Sequence, residues 1–443
     1  MHPFQLPFLK ANGRKYSWPI FLLNFLLGLP PALAGFRASV VKVDITPEKP
    51  QNLIGYNPRM SNGVLDRIYH KVVMIDDGKN QFYLVSSDLA AIAPCTYDHA
   101  AERLTKLFKI SPKDFWWTNT HTHSAPEVGS PGVIKLFLGE RYQETYDKEY
   151  TAWVEDKLVE AITKARNSLV PARLGVGWGF SMANVNRRAR DIDNVTNLGI
   201  NPDGPIDRRI GLIRLDKEDG SPLALISNYP IHGTALNETN LKISGDVPGV
   251  VANYVEEKIG APLLFINGAE GNVAPIYSQG SSVKRLMQFR ALLGDKILEA
   301  NKRITATTPE LTLATSIMTV ETARRPDITT WPEDVKRYAR TTKGGQHLVR
   351  IPVSFLKIND DIAIWAAPLE LFCEVSNEVR EKSQFPFTFY YGITNGTLGY
   401  LPTKEEIPLG GYEPLISPFT AEAAHDLSEA VTNFLQSEMK TLR

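Results

Sequence analysis

The chain has 443 residues, 43% of them hydrophobic, with 49 basic residues balanced by 49 acidic ones. This composition excludes a disordered or collagen-like chain, and zero formal net charge excludes nucleic acid as the main partner, which demands a basic surface. Two cysteines cannot build a disulfide framework or a cysteine-based zinc finger, so a metal site must draw on His, Asp, Glu or Tyr.

The N-terminus reads as a leader. Lys10, Arg14 and Lys15 precede an apolar run from Ile20 to Ala34 that ends in Ala32-Leu33-Ala34. A basic region, a hydrophobic region and an A-x-A signal predict cleavage before Gly35. The run is about 15 residues, short of the roughly 20 that span a bilayer. A signal peptide over 1–34 followed by one domain over 35–443, secreted or periplasmic, is the expectation. Cys95 and Cys373 both lie in apolar stretches, and pairing and burial as free thiols both stay open.

Beyond the leader, strand-like runs of β-branched and aromatic residues fall at 38–45, 71–75, 82–87 and 115–120. A helical pattern at 150–168 follows, with Trp153, Val154, Leu158, Ala161 and Ile162 on one face. Further strands are expected at 174–178, 211–215, 223–228, 263–266, 362–366 and 387–393, and helices at 247–259, 284–303, 371–383 and 421–439. This interleaving predicts an α/β fold, a mixed β-sheet core flanked by helices, with its site on loops at strand ends.

Those strand ends carry the reactive side chains. The run 115–120 exits into His121-Thr122-His123-Ser124-Ala125-Pro126. Histidines at i and i+2 share one face of an extended chain and suit a divalent metal. Arg187 follows Asn186 in an arginine-rich stretch that reads locally as a solvated loop. His232 stands at the exit of the strand 223–228. After the strand 263–266 comes Asn267-Gly268-Ala269-Glu270-Gly271-Asn272-Val273-Ala274-Pro275, a glycine-rich turn that lets backbone approach a ligand. It lacks the Gly-Lys-Ser/Thr of a P-loop. Glu370, after Pro368, complements a helix N-terminus or ligates a metal. Tyr400, in Gly399-Tyr400-Leu401-Pro402, is similarly ambiguous.

Taken together and in this order, these stretches resemble the N-terminal catalytic domain of neutral (non-lysosomal) ceramidases, zinc-dependent amidases that split ceramide into sphingosine and a fatty acid. Residues 120–124 are similar to the family's T-H-T-H-S-G-P, and Asn186-Arg187 to its N-R-S-P. Ile243-Ser244-Gly245-Asp246 resembles I-S-G-D, and Pro368-Leu369-Glu370 resembles P-G-E-F. The run from Tyr400 to Glu406 resembles Y-V-T-T-x-E-E-Y, and Tyr412-Glu413 resembles the Y-E-G that follows it. The likeness covers roughly residues 37–437.

The resemblance implies zinc held by His121, His232, Glu370 and Tyr400, with His123, Arg187 and Tyr412 around the scissile carbonyl. It implies an N-acyl lipid substrate, ceramide or a relative, cleaved by zinc-activated water, and peripheral contact with a membrane surface. Gly271, Asn272 and Ala274 are the expected substrate contacts. The family's G-D-x-S-P-N carries a serine where this chain has Ala274, and an aspartate where it has Asn272. Alanine excludes a serine acyl-enzyme route through that position and leaves the zinc route intact. A catalytically degenerate lipid- or metal-binding relative and an esterase on the same scaffold are the alternatives. The chain also ends where the family's C-terminal immunoglobulin-like domain is expected to begin. Other H-x-H classes fit less well. A metallo-β-lactamase-like site wants H-x-H-x-D-H, and an amidohydrolase barrel places H-x-H on its first strand.

Overall fold

The computed structural model describes residues 35–139, 146–278, 280 and 282–442; the expected leader, residues 1–34, lies outside them. Eight strands form a mixed sheet in the order Leu263–Asn267, Pro222–Tyr229, Arg209–Lys217, Val170–Phe180, Arg37–Asp44, Tyr69–Asp76, Gln81–Ser87 and Phe115–Asn119. The inner strands pair antiparallel, and each edge strand runs parallel to its neighbour. The sheet curls until its ends meet. Ser86 donates to the Phe265 carbonyl at 2.6 Å, and the Asn267 amide reaches the Thr120 carbonyl at 3.2 Å.

A second sheet, Leu313–Ala323, His347–Ile358, Ile362–Ala366 and Phe387–Tyr391, packs against the first. The period of two along each strand sorts its side chains into layers. Val73, Ile75, Trp116, Leu356, Ile358 and Ile364 fill the space between the sheets. Val72, Met74, Phe115 and Trp117 face the other way, under the helices Pro94–Phe108 and Lys148–Asn167. Val353, Phe355 and Trp365 face the helices Cys373–Lys382 and Ala423–Gln436. The result is helix, sheet, sheet, helix, the expected mixed-sheet α/β core with a second sheet added. Each fully buried aliphatic or Phe side chain contributes about 1.5–3 kcal/mol relative to exposure.

Local chemistry sets the helix ends. Pro94 opens the first helix, where its missing N–H costs nothing. Asp147 accepts from the Tyr150 amide to cap the second. Gly260, in the left-handed region at φ 72°, stops the helix Asp246–Ile259. The helix expected over 284–303 is broken by a wider turn at Arg290–Gly294.

Several elements are absent from the sequence-based reading. The helix Pro94–Phe108 buries only Tyr97, Ala100, Ala101 and Leu104 along its inward stripe, a weak apolar signal. The strand His347–Ile358 contains Pro352, which argues against a strand. Here Ile362–Ala366 pairs only with Ser354–Ile358, so Pro352 lies beyond that ladder. Residues Asn184–Arg190, read as a solvated loop, form a strand in which Arg187 and Arg188 are buried. No helix among the described residues is long and apolar enough to cross a membrane.

Candidate metal centre and cleft

Curling of the first sheet brings the ends of Phe115–Asn119, Pro222–Tyr229 and Leu263–Asn267 to one rim. Asn267 joins them. Its Oδ1 accepts from the Ile231 amide at 2.9 Å, while Nδ2 donates to the carbonyls of Ile231 at 2.8 Å and Thr120 at 3.2 Å. One side chain thus holds the backbones immediately before His121 and His232. The two histidine loops then cross. Gly233 donates to the His121 carbonyl at 3.1 Å, and its own carbonyl accepts from His123 at 2.9 Å. A Cβ at Gly233 would lie 2.6 Å from the Thr122 Cα, so only glycine permits the crossing.

His121 and His123 converge, with ring centroids 4.8 Å apart, though not by the extended chain expected of them. The strand stops at Asn119, and His121 adopts φ 64°, a left-handed turn that swings both rings inward. Asp246 fixes the loop after His232, its carboxylate accepting from the amides of Ala235 at 3.1 Å and Leu236 at 2.9 Å.

Four side chains meet at the rim. His121 Nδ1 faces the Ala90 carbonyl at 2.6 Å and His232 Nδ1 faces the Val273 carbonyl at 2.9 Å. A carbonyl only accepts, so both Nδ1 atoms carry the proton and both Nε2 lone pairs point to the centre. Glu370 Oε2 lies 3.3 Å from His121 Nε2 and 3.4 Å from His232 Nε2, and the Tyr400 hydroxyl lies 3.3 Å from His232 Nε2. Zinc bonds of about 2.0–2.1 Å in tetrahedral geometry separate their donors by about 3.3–3.4 Å. The donor set therefore fits such an ion. His123 Nε2 lies as close, 3.4 Å from His121 Nε2, and His121, His123 and His232 form one cluster able to hold a metal.

Burial is the largest influence on the ionisation of these groups. Burial, with Arg187 and His121 adding to it, depresses His232 to about 3, which keeps the imidazole neutral. Burial, then His121 and His232, holds His123 well below the usual histidine range. Burial opposes ionisation of Glu370, but His121 and His232 beside it hold the carboxyl well below its usual range. Burial and the neighbouring Glu370 raise Tyr400 well above an ordinary phenol.

A cleft opens over this centre in two arms that share Gly55, His123, Tyr400 and Tyr412. One arm is walled by Ile54, Ile92, Val128, Ile134, Leu138 and Ile416. The other is lined by polar groups including Tyr56, Arg187, Asn237 and Glu238, together with Leu198 and Ala274.

Residues 36–279 match the family model described as neutral/alkaline non-lysosomal ceramidase, N-terminal. The chain belongs to this family. It is 29% identical over 251 residues to neutral ceramidase B of Dictyostelium discoideum, covering 51% of this chain and 33% of that protein. It is 27% identical over 254 residues to the neutral ceramidase of Pseudomonas aeruginosa, covering 54% and 37%. The matches thus span about a third of the length of these relatives. The crystal structure of the Pseudomonas aeruginosa neutral ceramidase shares the fold with a TM-score of 0.73 at 17% identity, covering 92% of this chain and 75% of that one. A structure titled as ceramidase complexed with C2 gives 0.75 at 16% identity, over 92% and 76%.

Within this ceramidase-family fold, the remaining expected site residues fall in different places. Arg187 lies with its guanidinium 5.4 Å from the centre of the Tyr400 ring, Nε donating to Glu413 at 2.8 Å and Nη2 buried without a hydrogen-bond partner. Arg188 bonds Glu413 and Glu406, each at 2.6 Å, and so ties the segment carrying Tyr412 to the strand. The Tyr412 ring stands edge-on to Tyr400, centroids 5.9 Å apart. Ala274 faces the polar arm. Asn272 is turned away, its amide donating to Glu374 at 2.7 Å and its oxygen accepting from the Cys373 amide at 3.0 Å. Gly271 lies against the Glu370 backbone, where a Cβ would come within 2.5 Å of the carbonyl oxygen. Cys95 and Cys373 are both free thiols.

Sequence reasoning passed over Asn267 and Glu270. Both stand in the glycine-rich turn it singled out, and the strand exit beside two histidines was the available signal.

Proposed function

We propose that the chain is an exported zinc-dependent hydrolase that cleaves the N-acyl amide bond of ceramide or a related lipid. The observation that carries this reading is the convergence of His121, His232, Glu370 and Tyr400, at spacings a zinc ion requires, beneath a cleft with one apolar arm. Family membership and the ceramidase names of the relatives support it.

These four side chains would hold the ion, which when bound lowers the pKa of water to about 7 and polarises a carbonyl. The apolar arm takes the acyl chain, and burying each CH₂ is worth about 0.8 kcal/mol. The polar arm takes the amine-bearing portion. Arg187, steadied by Glu413, offers its unpartnered Nη2 to the oxyanion that develops on the carbonyl; a well-placed donor is worth about 3–4 kcal/mol. His123 or Tyr412, at the junction of the arms, passes to the leaving amine the proton that the attacking water gives up. Ala274 leaves no nucleophile on its wall, so water attacks. The leader over residues 1–34 directs export to the periplasm or the medium.

Contact with a lipid surface is part of this reading. Ile192, 98% exposed, and Val195 form the tip between the strands Asn184–Arg190 and Thr196–Asn201, with Leu198 and Ile200 also exposed. Leu198 lines the cleft as well, so this apolar rim borders the entrance.

The test is release of free amine from a ceramide panel by the purified full chain, with and without a zinc chelator. Release that the chelator abolishes is the expected result. Zinc bound without release from any ceramide would move the substrate to another N-acyl or ester class, and a chain that binds no zinc would overturn the reading.

A further inference from the structure

Glu270 stands in the turn after Leu263–Asn267 and has no exposed surface. Neither of its carboxylate oxygens has a hydrogen-bond partner on another residue, and no salt bridge reaches it among the described residues. An oxygen of Glu270 lies within 4.8 Å of ligand atoms of both His121 and Glu370, and these three form a second cluster able to hold a metal. Glu370 Oε2 also lacks a hydrogen-bond partner. Two carboxyl groups therefore stand side by side in the interior, Glu370 against the imidazoles of His121 and His232 and Glu270 with no hydrogen-bond or ion-pair partner of its own among the described residues.

A buried carboxylate left without partners is strongly unfavourable, and two together repel. Each destabilising term is removed by a cation between them. The surroundings leave space for this arrangement. Gly392 backs the carboxylate, and a Cβ there would lie 2.9 Å from Glu270 Oε2. Gly271 lets the turn press against the Glu370 backbone. Glu270 lines neither arm of the cleft.

We propose that Glu270 is a further ligand to the divalent ion, bound from the interior side while the cleft side is left to substrate and water. This rests on the metal-centre reading above. His121 belongs to both clusters and offers a single free lone pair, Nε2. One ion with an enlarged donor set is therefore favoured over two ions. Two carboxylates neutralise a dication by themselves, so Tyr400 binds without having to ionise. A set of two imidazoles, two carboxylates and a phenol also supports a coordination number above four.

The test compares the full chain with E270Q, E270D and H121A in three readouts: zinc affinity by chelator competition, the visible spectrum of the cobalt-loaded protein, and melting with and without zinc. E270Q is expected to bind zinc at least about tenfold more weakly. Its cobalt band should intensify as the coordination number falls. Zinc should raise the melting temperature of E270Q less than it raises that of the parent. Unchanged affinity and an unchanged cobalt spectrum in E270Q would overturn the proposal. Should E270Q not fold, E270D, which keeps the charge and shortens the reach, decides by the same affinity and spectrum. Zinc lost in H121A but unaltered in E270Q sinks the role of Glu270 alone, whereas zinc retained in H121A sinks the metal centre itself.

Discussion

Glu370 and Tyr400 are register partners in a two-residue parallel pairing, with the Glu370 amide donating to the Gly399 carbonyl at 3.1 Å. Residues thirty positions apart thereby present a carboxylate and a phenol to the same point. Backbone hydrogen bonds set their spacing, so the pair is positioned before any ion arrives, which lowers the cost of assembling a site.

Substitutions in this donor set should remove metal while leaving the fold. His121→Ala, His232→Ala and Glu370→Gln are expected to lower bound zinc to a small fraction of one equivalent. Tyr400→Phe, which keeps the ring packing, should weaken binding by at least about tenfold. Metal analysis of gel-filtered protein gives the answer, and full occupancy in Glu370→Gln would remove that residue from the site.

Asn267 acts at one remove. Asn267→Ala strands the Ile231 amide and frees the carbonyls of Ile231 and Thr120, and a stranded buried group costs about 1–3 kcal/mol. Loss of registry between the two histidine loops should also weaken zinc binding about 10–100-fold. Thermal melts without metal and zinc titrations separate the two effects; a variant matching the parent in both would show that the loops hold themselves.

Glu127, in the wall of the apolar arm, is raised by burial from 4.5 to about 7. Between these values the folded state holds more protons than the unfolded chain, so stability falls as pH rises through the interval. Glu127→Gln removes the fall, with a gain over the parent of up to about 3 kcal/mol by pH 7. Melting temperatures across pH 4.5 to 7 check this, and parallel curves for the two proteins would show that the carboxyl is not desolvated.

At the rim, Ile192→Asp with Val195→Asp should lower partitioning onto phosphatidylcholine vesicles at least tenfold, since burying each apolar side chain is worth about 1.5–3 kcal/mol. Amine release from detergent-dispersed lipid should be unchanged. Equal vesicle binding by the double variant would place the membrane contact elsewhere.

The sequence is legible where structure depends on near neighbours. Strands such as Phe115–Asn119, Pro222–Tyr229 and Leu263–Asn267 announce themselves through apolar β-branched and aromatic runs. His121, His123 and His232 stand out as histidines at strand exits. Elements with mixed composition are hidden: Asn184–Arg190 carries three arginines yet is mostly buried, because Glu413 and Glu406 neutralise Arg187 and Arg188 from more than two hundred residues away. No local pattern encodes those partners.

By itself, then, the sequence determined the α/β class, the alternation that sorts side chains into layers, and the residue types from which a metal site must be drawn. Only the tertiary structure decided which of them meet. Curling of the eight-stranded sheet puts residues 121 and 232 at one rim, the second sheet delivers 370 and 400 to it, and the turn after 267 adds Glu270. Periodicity reports the face on which a side chain lies, through sterics acting within a few residues. Convergence of distant loops depends instead on how whole sheets twist and pack, a sum over contacts that no short stretch contains.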